Sequence, residues 1–223
     1  MKFSAGIILS FLLFTTAQAQ SVIQERMTAR NECAMTSLQC SGQAPIYSGD
    51  AEIVCISAAS PEWPGQVKIS GISGGGQWVH PKKAAGYEKL IGYSTDCALA
   101  YPTAAGEIPV VTRNGGDTTW WVWSVEISPD GHALSLDLAG HSKNDRSKTR
   151  QRGVNLRLSG EDIVFQILHA GPGMHQIAAP YGWADFADHV CAGVAYTSSG
   201  RAPWCQADGP GYAAASAVAM KVD

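Results

Sequence analysis

Residues 118–138 read TTWWVWSVEISPDGHALSLDL. In the first half Trp121, Trp123, Val125 and Ile127 occupy alternate positions, with Ser124, Glu126 and Ser128 between them and Trp120 pointing away from the other two tryptophans. A period of two is the spacing of a β-strand, whose successive side chains leave opposite faces. Pro129-Asp130-Gly131 then supplies a pre-set φ and a left-handed position, the chemistry of a reversal. Beyond it Leu134, Leu136 and Leu138 alternate with Ser135 and Asp137. The stretch predicts two antiparallel strands closed as a hairpin over one apolar face.

The same pattern continues outward. Upstream, residues 108–113 run into Asn114-Gly115-Gly116, and Asn-Gly favours the left-handed conformations of a tight hairpin turn. Downstream, Val154, Leu156 and Leu158 alternate, a Ser159-Gly160-Glu161-Asp162 turn follows, and Ile163, Phe165 and Ile167 return. These runs predict an antiparallel meander with Trp121, Trp123, Val125, Leu134, Leu136, Leu156, Phe165 and Ile167 in one core. Residues 51–58 and 66–72 read as two further strands joined across 60–65. Residues 190–196 and 213–222 are weaker candidates, filled by Ala and Gly.

Helical signals are few. Residues 27–38 suit one short helix, and 81–91 another, with Pro81 in its first turn and Gly92 just past its end. The expected fold is mainly β: an antiparallel sandwich or flattened barrel of about eight or nine strands with one or two short peripheral helices.

The N-terminus adds a location. Lys2 gives a positive start, residues 7–14 an apolar run, and Ala17-Gln18-Ala19 a small-x-small cleavage pattern, which together read as a signal peptide over 1–19. Residues 20–50 are then an N-terminal arm carrying the first short helix and held by Cys33 and Cys40, and 51–223 a single β-rich domain. No later stretch reaches the roughly 18 to 20 apolar residues of a spanning helix. The expected location is secreted or periplasmic, with no transmembrane segment. Of the 16 basic residues one is Lys2, leaving 15 against 19 acidic ones, a mild acidity that gives no reason to expect nucleic acid as a partner.

All six cysteines, Cys33, Cys40, Cys55, Cys97, Cys191 and Cys205, follow the cleavage pattern. An oxidising compartment pairs them, and the Ser198-Ser199-Gly200 turn between the last two predicts a Cys191–Cys205 disulfide. The close Cys-x2-Cys spacing of structural zinc is lacking, so neither a metal nor a cofactor is expected from them.

Four features bear on chemistry. Gly71-x-Ser73-x-Gly75 matches the motif of a nucleophilic serine, and Asp185, Asp188 and His189 follow in the chain order of a triad. That motif needs a buried strand before the serine and a helix after it. Val67-Lys68-Ile69-Ser70 alternates apolar and polar instead, and Gly74-Gly75-Gly76 with Pro81 opposes a helix, so a glycine-rich turn after a strand is the expected structure. His169, His175, Asp185, Asp188 and His189 are zinc-ligand types, but none of the spacings is a ligand pattern.

The loop 141–152 concentrates Lys143, Arg146, Lys148, Arg150 and Arg152 against Asp145, a surface for an acidic partner. Trp63, Trp183 and Trp204 sit in turn-like contexts, where aromatic faces on a β-scaffold stack on sugar rings. The sequence therefore reads as an exported, disulfide-stabilised β-rich binding protein for a polysaccharide or another extracellular surface. Its binding residues would be Trp63, Trp183, Trp204, Arg146, Lys148 and Arg150. One alternative is a secreted serine hydrolase using Ser73, His189, Asp185 and Asp188. The other is an inhibitor or protein-interaction module using the loop 141–152.

Overall fold

The computed structural model describes residues 24–59, 65–90, 92–144, 150–158, 160–171, 175–178, 183–186, 190–197, 200–201, 206–208 and 212–223. For 24–28, 143–144, 150–152 and, Val190 and Ala192 apart, 175–208, the description is of the backbone. The protein is mainly β, built from antiparallel sheets packed on one another without barrel closure.

In chain order the first half contains β1 (Gln24–Cys33), β2 (Gln39–Ser41), β3 (Ala51–Ala59), β4 (Ile69–Ser73), β5 (Gly76–Val79), β6 (Gly86–Glu88), β7 (Tyr93–Thr103), β8 (Val110–Arg113) and β9 (Thr119–Ser128). A large sheet runs β1-β9-β3-β7-β5, with β6 also on β7, and a small one runs β2-β8-β4. The second half contains β10 (Leu134–Asn144), β11 (Arg150–Arg152), β12 (Arg157–Leu158), β13 (Asp162–Ala170), β14 (His175–Ala178), β15 (Trp183–Phe186), β16 (Val190–Thr197), β17 (Gly200–Arg201), β18 (Gln206–Asp208) and β19 (Ala213–Val222). Here the main sheet is β10-β19-β13-β16-β15.

Three apolar seams hold these layers. Between the two main sheets lie Ile53, Trp121, Trp123, Val125, Ile127, Leu134, Ile163, Phe165, Ile167, Val218 and Met220, with Leu136 packed against them. The far face of the first main sheet buries Val54, Ile56, Ala98, Trp120 and Val122 against Ile69 and Val111 of the small sheet. The far face of the second buries Val164, Leu168 and the alanines of β19 against Val154, Leu156 and Leu158. Gln166 fixes that outer segment: its side chain accepts from the Val154 amide at 3.0 Å and donates to the Val154 carbonyl at 2.8 Å.

Both main sheets are therefore buried on both faces, and this changes the expected connections. The turn at 129–131 does not close a hairpin. It carries the chain from β9 in one main sheet to β10 in the other, with Asp130 at φ 49° and Gly131 at φ 83°. Asn114-Gly115-Gly116 likewise passes the chain from the small sheet to the large one. A turn's chemistry specifies reversal, not which sheet the next strand joins, so no meander forms.

The shared core includes seven of the eight residues expected in it, Leu136 at its margin; Leu156 belongs to the outer seam. A bulge between Leu136 and Leu138 explains a second departure. One extra residue flips every later side chain, so Leu138 faces the outer seam while Leu134 and Leu136 face inward.

Neither expected α-helix forms. Most of 27–38 is β1, whose backbone pairs with the edge of β9; Thr28, Asn31 and Cys33 are weak helix formers that do not resist this pairing. The region 81–91 makes a single 3-10 turn, Lys82–Ala84, and then β6. There Gly86 passes so close to β19 that a β-carbon would meet the Ala215 carbonyl oxygen at 2.5 Å.

Two disulfides brace the first half. Cys33–Cys40 ties the end of β1 to β2, and Cys55–Cys97 links directly opposed residues of β3 and β7 inside the main core. Among the described residues no helix is long and apolar enough to cross a membrane.

Candidate functional site

The far face of the large sheet, mostly apolar, carries two acids opposed to each other. Glu52 on β3 stands directly opposite Glu126 on β9, and both are fully buried. Side chains of directly opposed residues approach closely, their β-carbons about 5 Å apart. Continuing across the sheet, Glu52 is opposite Ala100 of β7, and Ala100 is opposite Trp78 of β5.

Two loops and one turn cover this row. Residues 42–47 are laced onto β9: the Gln43 amide donates to Ser124 Oγ at 3.0 Å, and the amides of Ile46 and Tyr47 both donate to the Glu126 carboxylate, each at 2.8 Å to Oε1. Ile46 also reaches Oε2 at 2.9 Å. The second loop, 104–109, is bound to the first through Gly42 N–H to the Pro109 carbonyl and Gly106 N–H to the Pro45 carbonyl.

The triglycine of the Gly-x-Ser-x-Gly motif completes the cover. Gly74 and Gly75 have φ near +76° and Gly76 has φ +144°, conformations that glycine adopts without a steric penalty. Space demands glycine too: a β-carbon on Gly74 would collide with the Ile108 carbonyl. One on Gly75 would lie 3.3 Å from Glu52 Oε2 and 3.3 Å from Trp78 Cζ2. Trp78 Nε1 donates to the Gly74 carbonyl at 2.6 Å, locking the turn over the acids.

The two carboxyls differ in environment. Glu126 accepts from two amides, whereas among the described residues neither oxygen of Glu52 has a hydrogen-bond partner. Burial, and after it the charge of Glu126, pushes the Glu52 carboxyl up to about 9. At neutral pH Glu52 is thus a neutral acid with an O–H to donate, next to a carboxylate fixed by backbone amides.

Above it the molecule presents a tip. Ile46, Tyr47 and Ile108 are 54%, 50% and 53% exposed, and the amides of Ile46 and Tyr47 are held by Glu126.

Ser73 ends β4, exposed and paired in register with Val110 of β8. A turn and β5 follow it, so the strand–turn–helix frame of a nucleophile elbow is not what surrounds this serine. Its hydroxyl makes no side-chain hydrogen bond among the described residues.

His169 is buried between aromatic rings, stacked on Tyr93 at 4.3 Å and edge-on to Trp121 at 6.0 Å. His175 and Asp185 lie on β14 and β15, in different sheets, and among the described residues no three His, Cys, Asp or Glu side chains are grouped to hold a metal. Trp183, Arg150 and Cys191 fall on β15, β11 and β16, described for their backbone. Trp63, Trp204, Arg146, Lys148, Asp188, His189 and Cys205 lie outside the described residues.

A second polar pair escaped the sequence reading. His80 Nε2 lies 2.9 Å from Asp96 Oδ2, and that buried carboxylate also accepts from the amides of Ile69 at 3.0 Å and Cys97 at 2.9 Å. It ties β4 to β7. The signal for Glu52 was available in Glu52-x-Val54-x-Ile56-x-Ala58, a glutamate on a face otherwise apolar.

Comparison with known proteins finds no match: no family model, no curated protein and no solved structure corresponds to this chain.

Proposed function

We propose that this is an exported, disulfide-stabilised binding protein whose contact surface is the tip formed by residues 42–50, 74–76 and 104–109. The observation that carries the reading is the combination of exposed Ile46, Tyr47 and Ile108 with the Ile46 and Tyr47 amides anchored from below by Glu126. Apolar side chains held out on a rigid frame lose little conformational freedom when a ligand covers them. The tip also offers the exposed hydroxyl of Ser48 and the partly buried ring of Trp78. An extracellular polysaccharide, with apolar sugar faces and polar edges, matches that mixture.

Two intramolecular disulfides suit an oxidising compartment, and the signal-like N-terminus supplies the route there. In this reading 51–223 forms one β-rich domain, and Trp63, Trp183 and Trp204, together with Arg146, Lys148 and Arg150, extend the contact beyond the tip.

The test is a pull-down and titration against a panel of insoluble and soluble polysaccharides, with Tyr47→Ala and Ile108→Ser as tip variants. Retention of the wild-type protein, weakened about tenfold by either variant, supports the proposal; each such anchor is worth roughly 1 kcal/mol or more. Binding that survives both variants moves the contact elsewhere. Failure to bind any glycan, with tip-dependent binding to a protein, replaces the ligand class.

A further inference from the structure

We propose that Glu52 and Glu126 form a single-proton binding site that keeps the tip closed while the proton is held and loosens it when the proton leaves. The inference rests on the tip reading only for its consequence for ligand binding. The proton site itself stands on the geometry beneath the tip.

The two carboxyls are opposed across β3 and β9 with no water-exposed surface. Among the residues whose side chains are described, no lysine, arginine or histidine forms an ion pair with either; Arg26, at the β1 bulge beside Met27, is described for its backbone alone. The other acids nearby are of the same sign. Asp50 is buried two residues before Glu52, Glu107 is exposed on the 104–109 loop, and Asp96 lies further along β7, paired with His80. Opposite Glu52 on β7 is Ala100; the cover from β5 is Trp78, and the residue of β1 opposite Glu126 is Met27, all uncharged.

Two adjacent ionised carboxylates in such a site repel with little screening, whereas one proton removes both the repulsion and half of the desolvation cost. The Ile46 and Tyr47 amides already satisfy Glu126, so the proton belongs on Glu52. The burial that raises Glu52 to about 9 sets where it leaves.

On deprotonation the Glu52 O–H bond breaks, the proton passes to solvent base, and a second negative charge remains under the lid. Relief requires water to reach it. The groups in the way are Gly75, whose absent β-carbon would stand 3.3 Å from Oε2, and the 42–47 loop that Glu126 holds. Ionisation therefore acts on the turn and the loop that carry Ile46, Tyr47 and Ile108.

The decisive experiment uses the full mature chain without ligand. Glutamate side-chain carboxyl 13C shifts are followed from pH 4 to 10.5, together with amide signals of 42–50 and 74–76. The expected result is one carboxyl titrating near 9, with the loop and turn amides moving at the same midpoint and exchanging about tenfold faster above it than base catalysis alone gives. Glu52→Gln should abolish that titration and leave the loop unmoved over the same range. Overturning results are all glutamates titrating below pH 6, or identical loop changes in Glu52→Gln. If Glu52→Gln does not fold, the wild-type carboxyl titration decides alone. Because no ligand is present, a tip that binds no polysaccharide leaves this result unaffected.

Discussion

The Oε2 of Glu52 lies 3.3 Å from the point where a β-carbon on Gly75 would stand, so the central glycine of the triglycine and the buried acid share one van der Waals boundary. Gly75→Ala meets two obstacles at once, a φ of +76° and a space bounded by Glu52 Oε2 and Trp78 Cζ2, each 3.3 Å from the new β-carbon. The substitution should cost roughly 1–3 kcal/mol. Gly71→Ala, in open space and without a positive φ, should cost clearly less. Urea denaturation of both variants checks this, and equal losses would refute the close approach.

The buried acid also imposes a pH dependence whose sign follows from its direction of shift. Unfolded, Glu52 releases its proton near 4.5; folded, it holds it to about 9. The native state binds the extra proton between those values, so Glu52's contribution to stability is fully present below about 4.5. It declines as pH rises toward 9, by about 1.4 kcal/mol per pH unit. Glu52→Gln lacks this decline. The stability of the variant relative to wild type should rise steadily from pH 5 to pH 9, as read from denaturation midpoints, whereas a constant difference would show that the site does not bind the proton.

Cys55–Cys97 closes a loop with a sequence separation of 42, and Cys33–Cys40 one of 7. Chain-entropy reasoning assigns about 4 kcal/mol to the first and about 2 kcal/mol to the second. Replacing Cys55 and Cys97 by alanine also empties part of the main core, so it should be the more damaging pair. Differential scanning calorimetry of the two double variants ranks them, and a larger loss for Cys33/Cys40 would contradict the assignment.

What the sequence made legible was local. Trp121, Trp123, Val125 and Ile127 alternate, and they do face one core; Trp120 does point away, into the second seam. The failure came one level higher. Period-two reasoning sends Ser124 and Glu126 to solvent, because it assumes one wet face per antiparallel strand. The face is dry because β2, β8 and β4 lie across it, and those strands are far from β9 in sequence or separated from it by a turn that looks like a hairpin. The Glu52–Glu126 pair depends on a register between residues 74 apart, which no local pattern encodes. The glycine motif was legible as a turn, but its purpose, covering an acid, was not.

Ser73 and Tyr47 separate binding from hydrolysis. The serine is exposed at the end of β4 and runs into a turn and another strand, while Tyr47 is half exposed on a loop fixed by Glu126. A nucleophile needs a base within about 2.6 to 3.2 Å of its hydroxyl, somewhat more without substrate. A contact residue needs only exposure and a rigid frame. Ser73→Ala should therefore leave ligand retention unchanged within about twofold, whereas Tyr47→Ala should reduce it about tenfold. Covalent labelling of Ser73 by a fluorophosphonate, abolished by His189→Ala, would reverse the assignment, since a turn serine without a base does not react with such a probe.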